Sequence, residues 1–259
     1  MNFTGTGCPL TEAGLNSACS TLGVGAAEIW AIVFTETDYP HSGFWANKTP
    51  QILFEPRVFH RLTHSRYDAT APDISTNGPV AYGQAGNFQY TRLQKAVNLD
   101  EAAALQSASW GIGQILGENF SEAGFESVQD LVQAMLSSED AQLAAVANYI
   151  VTACIDNLLA DHKWSDFASV FNGPSYAASG YDKRLAGAYA NFANGVLPDL
   201  RVRSAQTYLM YRNYSLSVIN GIWDEYTASA VAAFQKDAGL PVTGEIDDTT
   251  LGRLADPAC

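Results

Sequence analysis

A glutamate closes an apolar helical stripe near the start of the chain. Ile29, Ile32, Val33 and Glu36 are spaced i, i+3, i+4 and i+7, which places them on one face of a helix. A carboxyl group at the end of such a stripe is partly removed from water, so its charged form is disfavoured and its pKa rises. A carboxyl group that stays protonated near neutral pH is what the general acid of a glycosidase requires. The alternative is a helix end at which Glu36 simply reaches solvent.

A second carboxylate, Glu55, ends a short apolar run that we expect to lie beside the end of that helix. Glycoside hydrolysis needs a second group that activates water or stabilises the oxocarbenium-like transition state, and Glu55 is the first candidate. Asp38 and Asp73 are its substitutes. The structural alternative is a salt bridge from Glu55 to Arg57 or Arg61.

Other chemistries have little support. His60 and His64 have an i, i+4 spacing that can bind a metal, but the residues between them lack the glutamate of a metalloprotease. Ser109 is interpreted as a helix-start residue rather than a nucleophile, because no histidine lies in a patterned relation to it. We therefore expect neither a metal nor a cofactor.

The four cysteines form no C-x-x-C pair, so they do not predict a structural zinc site. They allow three pairings, and among the possible bridges Cys8–Cys19 would close a short loop. The alternative is that no disulfide forms and all four cysteines are buried or unpaired thiols.

Composition describes a globular, acidic protein. Hydrophobic residues make up 47% of the 259 and charged residues 16%, with a formal net charge of −13. This charge repels phosphate backbones and anionic membranes, so we expect no nucleic-acid or membrane partner. The first residues have neither a basic start nor an apolar stretch typical of a secretory signal, and no run is long enough to cross a bilayer.

The elements that must position these residues are mainly helical. Periodicity, capping residues and turn residues predict one short strand among several helices. The strand lies within Gln51–Glu55, and the helices cover Leu10–Leu22, Val24–Glu36, Pro56–Leu62, Glu101–Ala108 after Asp100, Trp164–Phe171 and Tyr181–Ala193. Two further helices are expected after the capping boxes Ser127–Asp130 and Ser137–Asp140. The polar stretch Thr63–Asn87 is predicted to form a cleft wall.

The pattern changes after Asn194–Pro198. Three short helices follow, over Leu200–Tyr211, Thr227–Ala238 and Asp247–Leu254. We predict a catalytic domain over residues 1–195, mainly α with a small β element, and a three-helix domain over 196–259. A unit of about 60 residues has a small core and suits a binding module better than a catalyst.

Three motifs follow the Glu36 helix in order: ILFEPRVFHRLT (Ile52–Thr63), ASWGIGQI (Ala108–Ile115) and FNGPSYA (Phe171–Ala177). Together they resemble the N-acetylmuramidase family of phage endolysins, within the lysozyme superfamily, over Leu10–Ala193. The resemblance implies an α+β lysozyme-like fold with Glu36 as the general acid. The family usually has Ser-Gly-Gly after this glutamate, whereas this chain has Thr37-Asp38-Tyr39, which affects the shape of the cleft.

The second unit resembles the peptidoglycan-binding module of wall hydrolases. VRSAQTYL (Val202–Leu209), INGIWDEYTASAVAAFQ (Ile219–Gln235) and GLPVTGEIDDTTLGRL (Gly239–Leu254) match its three helices and two turns. Asp224 stands where that module commonly has glycine.

Beyond the carboxylates, the substrate-binding candidates are polar or aromatic: Gln114, Asn172, Tyr176, Tyr82, Trp110 and Ser109. The two amides could hydrogen-bond the N-acetyl and hydroxyl groups of a sugar or hold the cleft together. The aromatic rings could offer their faces to pyranose C–H surfaces, or could pack in the core.

The resemblance implies a muramidase that cleaves the β-1,4 bond between N-acetylmuramic acid and N-acetylglucosamine. The alternatives are a lytic transglycosylase, in which the muramic acid 6-hydroxyl attacks in place of water, and a wall-binding protein whose catalytic centre has decayed. The expected partner is peptidoglycan in the periplasm or cell wall, and the expected state is a monomer. Release by phage lysis and injection as a toxin, with an immunity protein plugging the cleft, both remain open.

Overall fold

Helices supply most of the regular structure in the computed structural model, which describes residues 1–37, 41–216, 218–255 and 257–259. Up to the predicted domain break the elements are, in order, α1 (Glu12–Leu22), α2 (Ala26–Glu36), β1 (Ile52–Phe54), α3 (Pro56–Leu62), α4 (Asn87–Val97), α5 (Glu101–Gln106), β2 (Ala108–Trp110), β3 (Ile115–Leu116), α6 (Val128–Ser137), α7 (Glu139–Thr152), α8 (Asp156–Ala160), α9 (Trp164–Phe171), α10 (Tyr176–Ser179) and α11 (Tyr181–Asn194). Beyond it follow α12 (Leu200–Tyr211), α13 (Glu225–Asp237) and α14 (Asp248–Leu254). The mainly α class with a small β element is confirmed.

Side-chain caps fix where many of these helices begin. The Thr11 side chain accepts from Gly14 N, and Asp100 caps α5 as predicted. Ser127 caps α6, also as predicted. The second capping box is displaced by one residue, because Ser137 is still the last residue of α6 and Ser138 has the extended backbone of a cap.

The three strands form one antiparallel sheet in the order β1-β2-β3. Ile52 lies opposite Trp110, and Trp110 lies opposite Ile115. The predicted helix over Glu101–Ala108 therefore ends two residues early, and the prediction that Ser109 starts a helix is wrong. Pairing with β1 draws this segment into extended conformation.

Helix α4 was not predicted from the sequence. It starts after Gly86, whose φ of 71° puts the chain in a conformation that favours glycine, and no side chain caps it. Only Gln89, Leu93 and Ala96 of this helix are buried, so its apolar stripe is weak.

The larger core surrounds α2, whose Ile29, Trp30, Ile32 and Val33 are fully buried. Helix α11 packs along α2 and brings Phe192 against Phe34, with ring centroids 5.0 Å apart. This packing sets the end of α2, where Glu36 lies, against the start of α11.

Helices α12, α13 and α14 enclose a second, smaller core built on Leu209, Val231, Phe234 and Leu254. Three-helix packing of this unit is as expected, and the division into residues 1–195 and 196–259 stays a prediction.

The two cores are joined through the ends of the chain. Cys8 forms a disulfide with Cys259, at a Cα–Cα distance of 5.4 Å, so the predicted bridge to Cys19 is wrong and Cys19 is a free thiol. The extended segment at Cys8 pairs with Ser138, and the C-terminus reaches it there, whereas Cys19 lies within α1. The Tyr211 hydroxyl also donates to the Gly7 carbonyl over 2.7 Å.

Within the ranges given above, no single helix is long and apolar enough to span a bilayer; only α1 and α2 taken together would be, and they are bent by 104°.

Candidate active site

Glu36, at the C-terminal end of α2, lines a cleft of about 740 Å³. The same cleft is lined by β1, by Glu55 just before α3, and by the loop before α4. The cleft therefore contains both carboxylates that the sequence singled out. Its polar and aromatic lining consists of Thr35, Glu36, Trp45, Gln51, Glu55, Tyr82, Gln89, Ser109, Gln114, Asn119, Tyr149, Phe171, Asn172 and Arg184.

The carboxyl group of Glu36 is removed from most of the surrounding water and accepts a short hydrogen bond from Tyr181. Burial raises its pKa from the ordinary 4.5 to about 7. The Tyr181 hydroxyl, 2.5 Å from Oε1, and the positive charge of Arg184 act in the opposite direction because they favour the carboxylate. Near neutral pH this group is therefore present as both acid and carboxylate, which suits a proton donor.

Glu55 occupies the N-cap position of α3, but its side chain caps no backbone N–H. Its Oε2 accepts instead from the Tyr82 hydroxyl over 2.8 Å. Burial raises the pKa of Glu55, while Tyr82 and the charge of Arg57 offset part of that rise. Because the Glu55 carboxyl group lines the cleft and does not cap the helix, it can contact a substrate in the cleft.

The predicted alternative for Glu55, an arginine salt bridge, does not occur in the part of the chain that the structure describes. Arg61 pairs with Glu118 at 2.6 Å. Arg57 donates through Nε to the Gly78 carbonyl over 3.1 Å.

Tyr82 is held in place by α4. Gln89 Nε2 donates to the Tyr82 carbonyl over 2.7 Å, and Arg92 donates to the same oxygen over 3.1 Å. Gln89 also accepts from Phe54 N over 3.1 Å, so one buried amide ties the loop to β1. Tyr82, Gly83 and Ala85 line the cleft, in agreement with the prediction for this stretch.

Ser109, Gln114 and Asn172 all line the cleft. Gln114 has a φ of 48°, unusual for a residue with a side chain, and its Nε2 donates to the Gly111 carbonyl over 2.8 Å. Its amide nitrogen is thus engaged in shaping the turn. Asn172 directly follows the last residue of α9 and is exposed. Its side-chain amide makes no hydrogen bond with any residue described, so it is open to a ligand.

The turn that carries Gln114 packs tightly on α7. A side chain at Gly111 would collide with Gln142, and one at Gly113 with Val146. Gln142 also accepts from Ile112 N over 2.8 Å. The glycines of ASWGIGQI are therefore required for this close approach.

Three residues that the sequence offered as substrate-binding or catalytic candidates do not line the cleft. Trp110 is fully buried, and its Nε1 donates to the Leu105 carbonyl over 3.1 Å, so it cannot offer a ring to a sugar. Tyr176 packs against the core and does not line the cleft. Asp73 is exposed and pairs with Lys95 at 2.5 Å, which excludes it as the second carboxylate. Asp38 lies outside the described residues.

His60 and His64 do not form a metal site with other ligands. Nδ1 of His60 lies 2.8 Å from Asp68, whose other partner is the Ser75 hydroxyl. Over the described ranges no group of three or more His, Cys, Asp or Glu side chains is placed to bind a metal ion.

Sequence reasoning missed Tyr181, Arg184, Trp45 and Gln89 as members of the site. The helix that carries Tyr181 and Arg184 was predicted, but nothing in its own sequence shows that its first turn meets the end of α2. A rule that large helices pair with the central apolar helix would have directed attention to Tyr181.

The chain is similar to known proteins over most of its length. A family model described as N-acetylmuramidase matches residues 25–193, and one for a peptidoglycan binding domain matches residues 199–254. The crystal structure of a Burkholderia AP3 phage endolysin aligns with a TM-score of 0.62 and 30% sequence identity, covering 71% of this chain and 70% of that one. No curated protein sequence matches the chain.

Proposed function

Because this chain belongs to the N-acetylmuramidase family and carries a peptidoglycan binding domain, we propose that it hydrolyses the β-1,4 bond between N-acetylmuramic acid and N-acetylglucosamine. The chain is a glycoside hydrolase that acts on peptidoglycan. One observation carries the proposal: Glu36 and Glu55 line the same cleft, and burial raises the pKa of Glu36 to about 7.

In this proposal Glu36 is the general acid that protonates the glycosidic oxygen. Its Oε1 accepts from Tyr181, so the proton to be donated is carried on Oε2. Transfer of that proton to the leaving oxygen accompanies cleavage of the bond between this oxygen and the anomeric carbon. Glu36 is left as a carboxylate, which the Tyr181 hydroxyl and Arg184 stabilise.

Glu55 is the second group, acting as a carboxylate. It either removes a proton from the attacking water or stabilises the positive charge that develops on the sugar ring. Burial raises the pKa of Glu55, and the hydrogen bond from Tyr82 and the charge of Arg57 act in the opposite direction, in favour of its ionised form. The anomeric configuration of the first product, followed by NMR, distinguishes inversion through a water from retention.

The test is Glu36→Gln, which keeps the shape of the side chain and removes the proton donor. We expect the variant to fold and to lose nearly all clearance of bacterial wall suspensions, by roughly a thousandfold or more. Near-wild-type clearance by this variant would end the assignment. Binding of insoluble wall by the variant separates a catalytic defect from a binding defect.

A lytic transglycosylase is the second candidate. Such an enzyme uses the muramic acid 6-hydroxyl as its nucleophile and manages with one catalytic acid, so a second carboxylate in the cleft favours hydrolysis. Mass spectrometry of the digested wall decides between the two. Reducing ends are expected, and 1,6-anhydro ends would replace hydrolysis with transglycosylation. Released fragments of either kind contradict a wall-binding protein with a decayed centre.

We also propose an endolysin role, in which a membrane-hole protein lets the monomeric enzyme reach the wall and cleavage of the wall brings about phage lysis. The structural similarity to a phage endolysin supports it. A neighbouring gene whose product binds the enzyme and blocks clearance would favour an injected toxin with an immunity protein instead.

A further inference from the structure

A second groove, of about 400 Å³, lies between Trp45 and the C-terminal unit. One wall is Trp45 and Ala46 from the loop after α2, and the other is the end of α12 with the segment that follows it. We name it the Trp45 groove. Its lining on the second wall is Met210, Asn213, Tyr214, Ser215, Leu216, Val218 and Ile219.

Trp45 also lines the catalytic cleft, so the cleft and the Trp45 groove meet at this side chain. A polymer that occupies the cleft and leaves it past Trp45 would next meet the C-terminal unit, whose residues line the other wall of the groove. Peptidoglycan is such a polymer, because its glycan strand extends on both sides of every bond that the enzyme cleaves.

The described residues that line the Trp45 groove carry no charge, whereas the cleft holds Glu36, Glu55 and Arg184. Asn213 and Ser215 are exposed and supply an amide and a hydroxyl among apolar neighbours. This mixture suits N-acetylated sugars, which combine amide and hydroxyl groups with apolar C–H faces. A charged stem peptide would have no ionic partner among these side chains.

Trp45 itself is suited to contact a sugar ring. It is partly exposed, and its Nε1 has no hydrogen-bond partner among the residues that the structure describes. Tilting the indole to meet a ligand therefore breaks no hydrogen bond within that part of the chain. Its ring lies close to Gly86, at the start of α4, where an added side chain would make only ordinary contact with it.

We propose that the Trp45 groove binds the glycan strand as it continues from the cleft, so that the C-terminal unit contributes a sugar subsite to the enzyme. This rests on the proposed function, since it assigns the cleft to glycan. The unit would then do more than anchor the enzyme to the wall, because it would hold the same strand that is being cut.

The first test compares glycan strands that differ only in length. Strands freed of their stem peptides by an amidase are separated into tetrasaccharides and long strands, and kcat/KM is measured for each. We expect kcat/KM to be about tenfold higher for long strands, which corresponds to one good sugar contact. Equal values for the two lengths would overturn the subsite while leaving the proposed function intact. No cleavage of either would instead refute the proposed function.

The second test fills the groove. Ser215→Trp is expected to lower the ratio of long-strand to short-strand kcat/KM to about one, and Ala46→Trp should do so from the opposite wall. Both positions are exposed, so neither change disturbs a core. Ser229→Trp is the matched control, because Ser229 is exposed on α13 and lines neither the cleft nor the groove.

The control should keep the wild-type ratio, and thermal unfolding verifies that each variant is folded. If the two groove variants keep the wild-type ratio as well, the Trp45 groove does not bind the strand. If only one of them fails to fold, the other still decides the matter.

Discussion

The Tyr181 hydroxyl donates a 2.5 Å hydrogen bond to Oε1 of Glu36, across 145 positions of sequence. Tyr181 is almost wholly buried at the first position of α11, and Glu36 is the last residue of α2. The contact therefore depends on how these two helices pack. It also opposes the effect of burial, because a donor to a carboxylate stabilises the charged form.

Tyr181→Phe should raise the pKa of Glu36 above its value of about 7. The substitution keeps the ring and removes the donor, so the carboxylate loses a hydrogen bond to a charged group, and we expect a rise of about one pKa unit. Because the acid form is the active one, the alkaline limb of the pH profile of kcat/KM should move to higher pH by the same amount.

Tyr189→Phe is the matched control for this shift. Tyr189 lies on the same helix, packs against His162 and Trp164, and does not line the cleft. Removing the Tyr189 hydroxyl should leave the alkaline limb of the pH profile of kcat/KM at its wild-type position. An unchanged limb in Tyr181→Phe would mean that this limb does not report Glu36.

Glu36→Gln should make the protein more stable at alkaline pH. Between the ordinary pKa of 4.5 and about 7, the unfolded carboxyl group ionises while the folded one keeps its proton. The contribution of Glu36 to the free energy of unfolding therefore falls as pH rises from 4.5 to about 7, and it stays low at higher pH. Because Glu36 is partly open to the cleft, we expect a gain of about 1–3 kcal/mol near pH 8 and little change near pH 4.

Urea unfolding at the two pH values measures this gain. Glu126→Gln supplies the control, since Glu126 is exposed and away from the cleft. If the two substitutions changed the free energy of unfolding equally at pH 8, ionisation of Glu36 would not destabilise the folded protein.

Much of the fold could be predicted from the sequence because its determinants are local. The caps at Asp100 and Ser127 and the stripe that ends in Glu36 each lie within one element. Helix α4 escaped prediction because it has no side-chain cap and a weak apolar stripe. Strand β2 was interpreted as helical because its partner, β1, lies more than fifty positions earlier.

The site was only partly predictable, because some of its residues meet only through contacts between segments that are distant in sequence. The two carboxylates and Tyr82 carry signals within their own segments, and the structure brings them to one cleft. Trp110 is an aromatic residue of a type that can bind sugars, but it is buried because its ring faces the core, where Phe3 packs against it. Tyr181 joins the site only through the packing of α11 on α2, which no local pattern encodes.

The Cys8–Cys259 disulfide should stabilise the protein, because it closes a loop that spans 251 positions. Restricting so long an unfolded chain contributes about 2–5 kcal/mol. We expect dithiothreitol to lower the midpoint of thermal unfolding of the wild type. Cys259→Ser should show the lowered midpoint without reductant and no further response to it.

Cys19→Ser is the matched control for the disulfide, because Cys19 is a free, half-buried thiol. This variant should keep the response to reductant. Loss of the response in Cys19→Ser would indicate that the bridge involves Cys19 after all, as its spacing from Cys8 first indicated.

A buried ion pair joins the two cores. Glu139 lies in α7 and Arg203 in α12, and the side chains of both residues are fully buried. Arg203 donates hydrogen bonds to both carboxylate oxygens of Glu139. Burial alone would raise the pKa of Glu139, but the charge and hydrogen bonds of Arg203, with donation from Gly43 N and Leu10 N, hold it below its ordinary value. The stability from this pair is therefore present above about pH 4.5 and is lost as pH falls through the lowered pKa.

Arg203→Met should destabilise the protein by about 3–5 kcal/mol at pH 7, because it leaves a buried carboxylate without its cation. The cost should shrink near pH 4, where Glu139 can take up a proton. Adding Glu139→Gln to Arg203→Met removes the stranded charge and should recover part of the loss at pH 7. Urea unfolding of the single and double variants at both pH values measures these differences. A cost that does not depend on pH, with no recovery in the double variant, would show that Arg203 acts by packing alone.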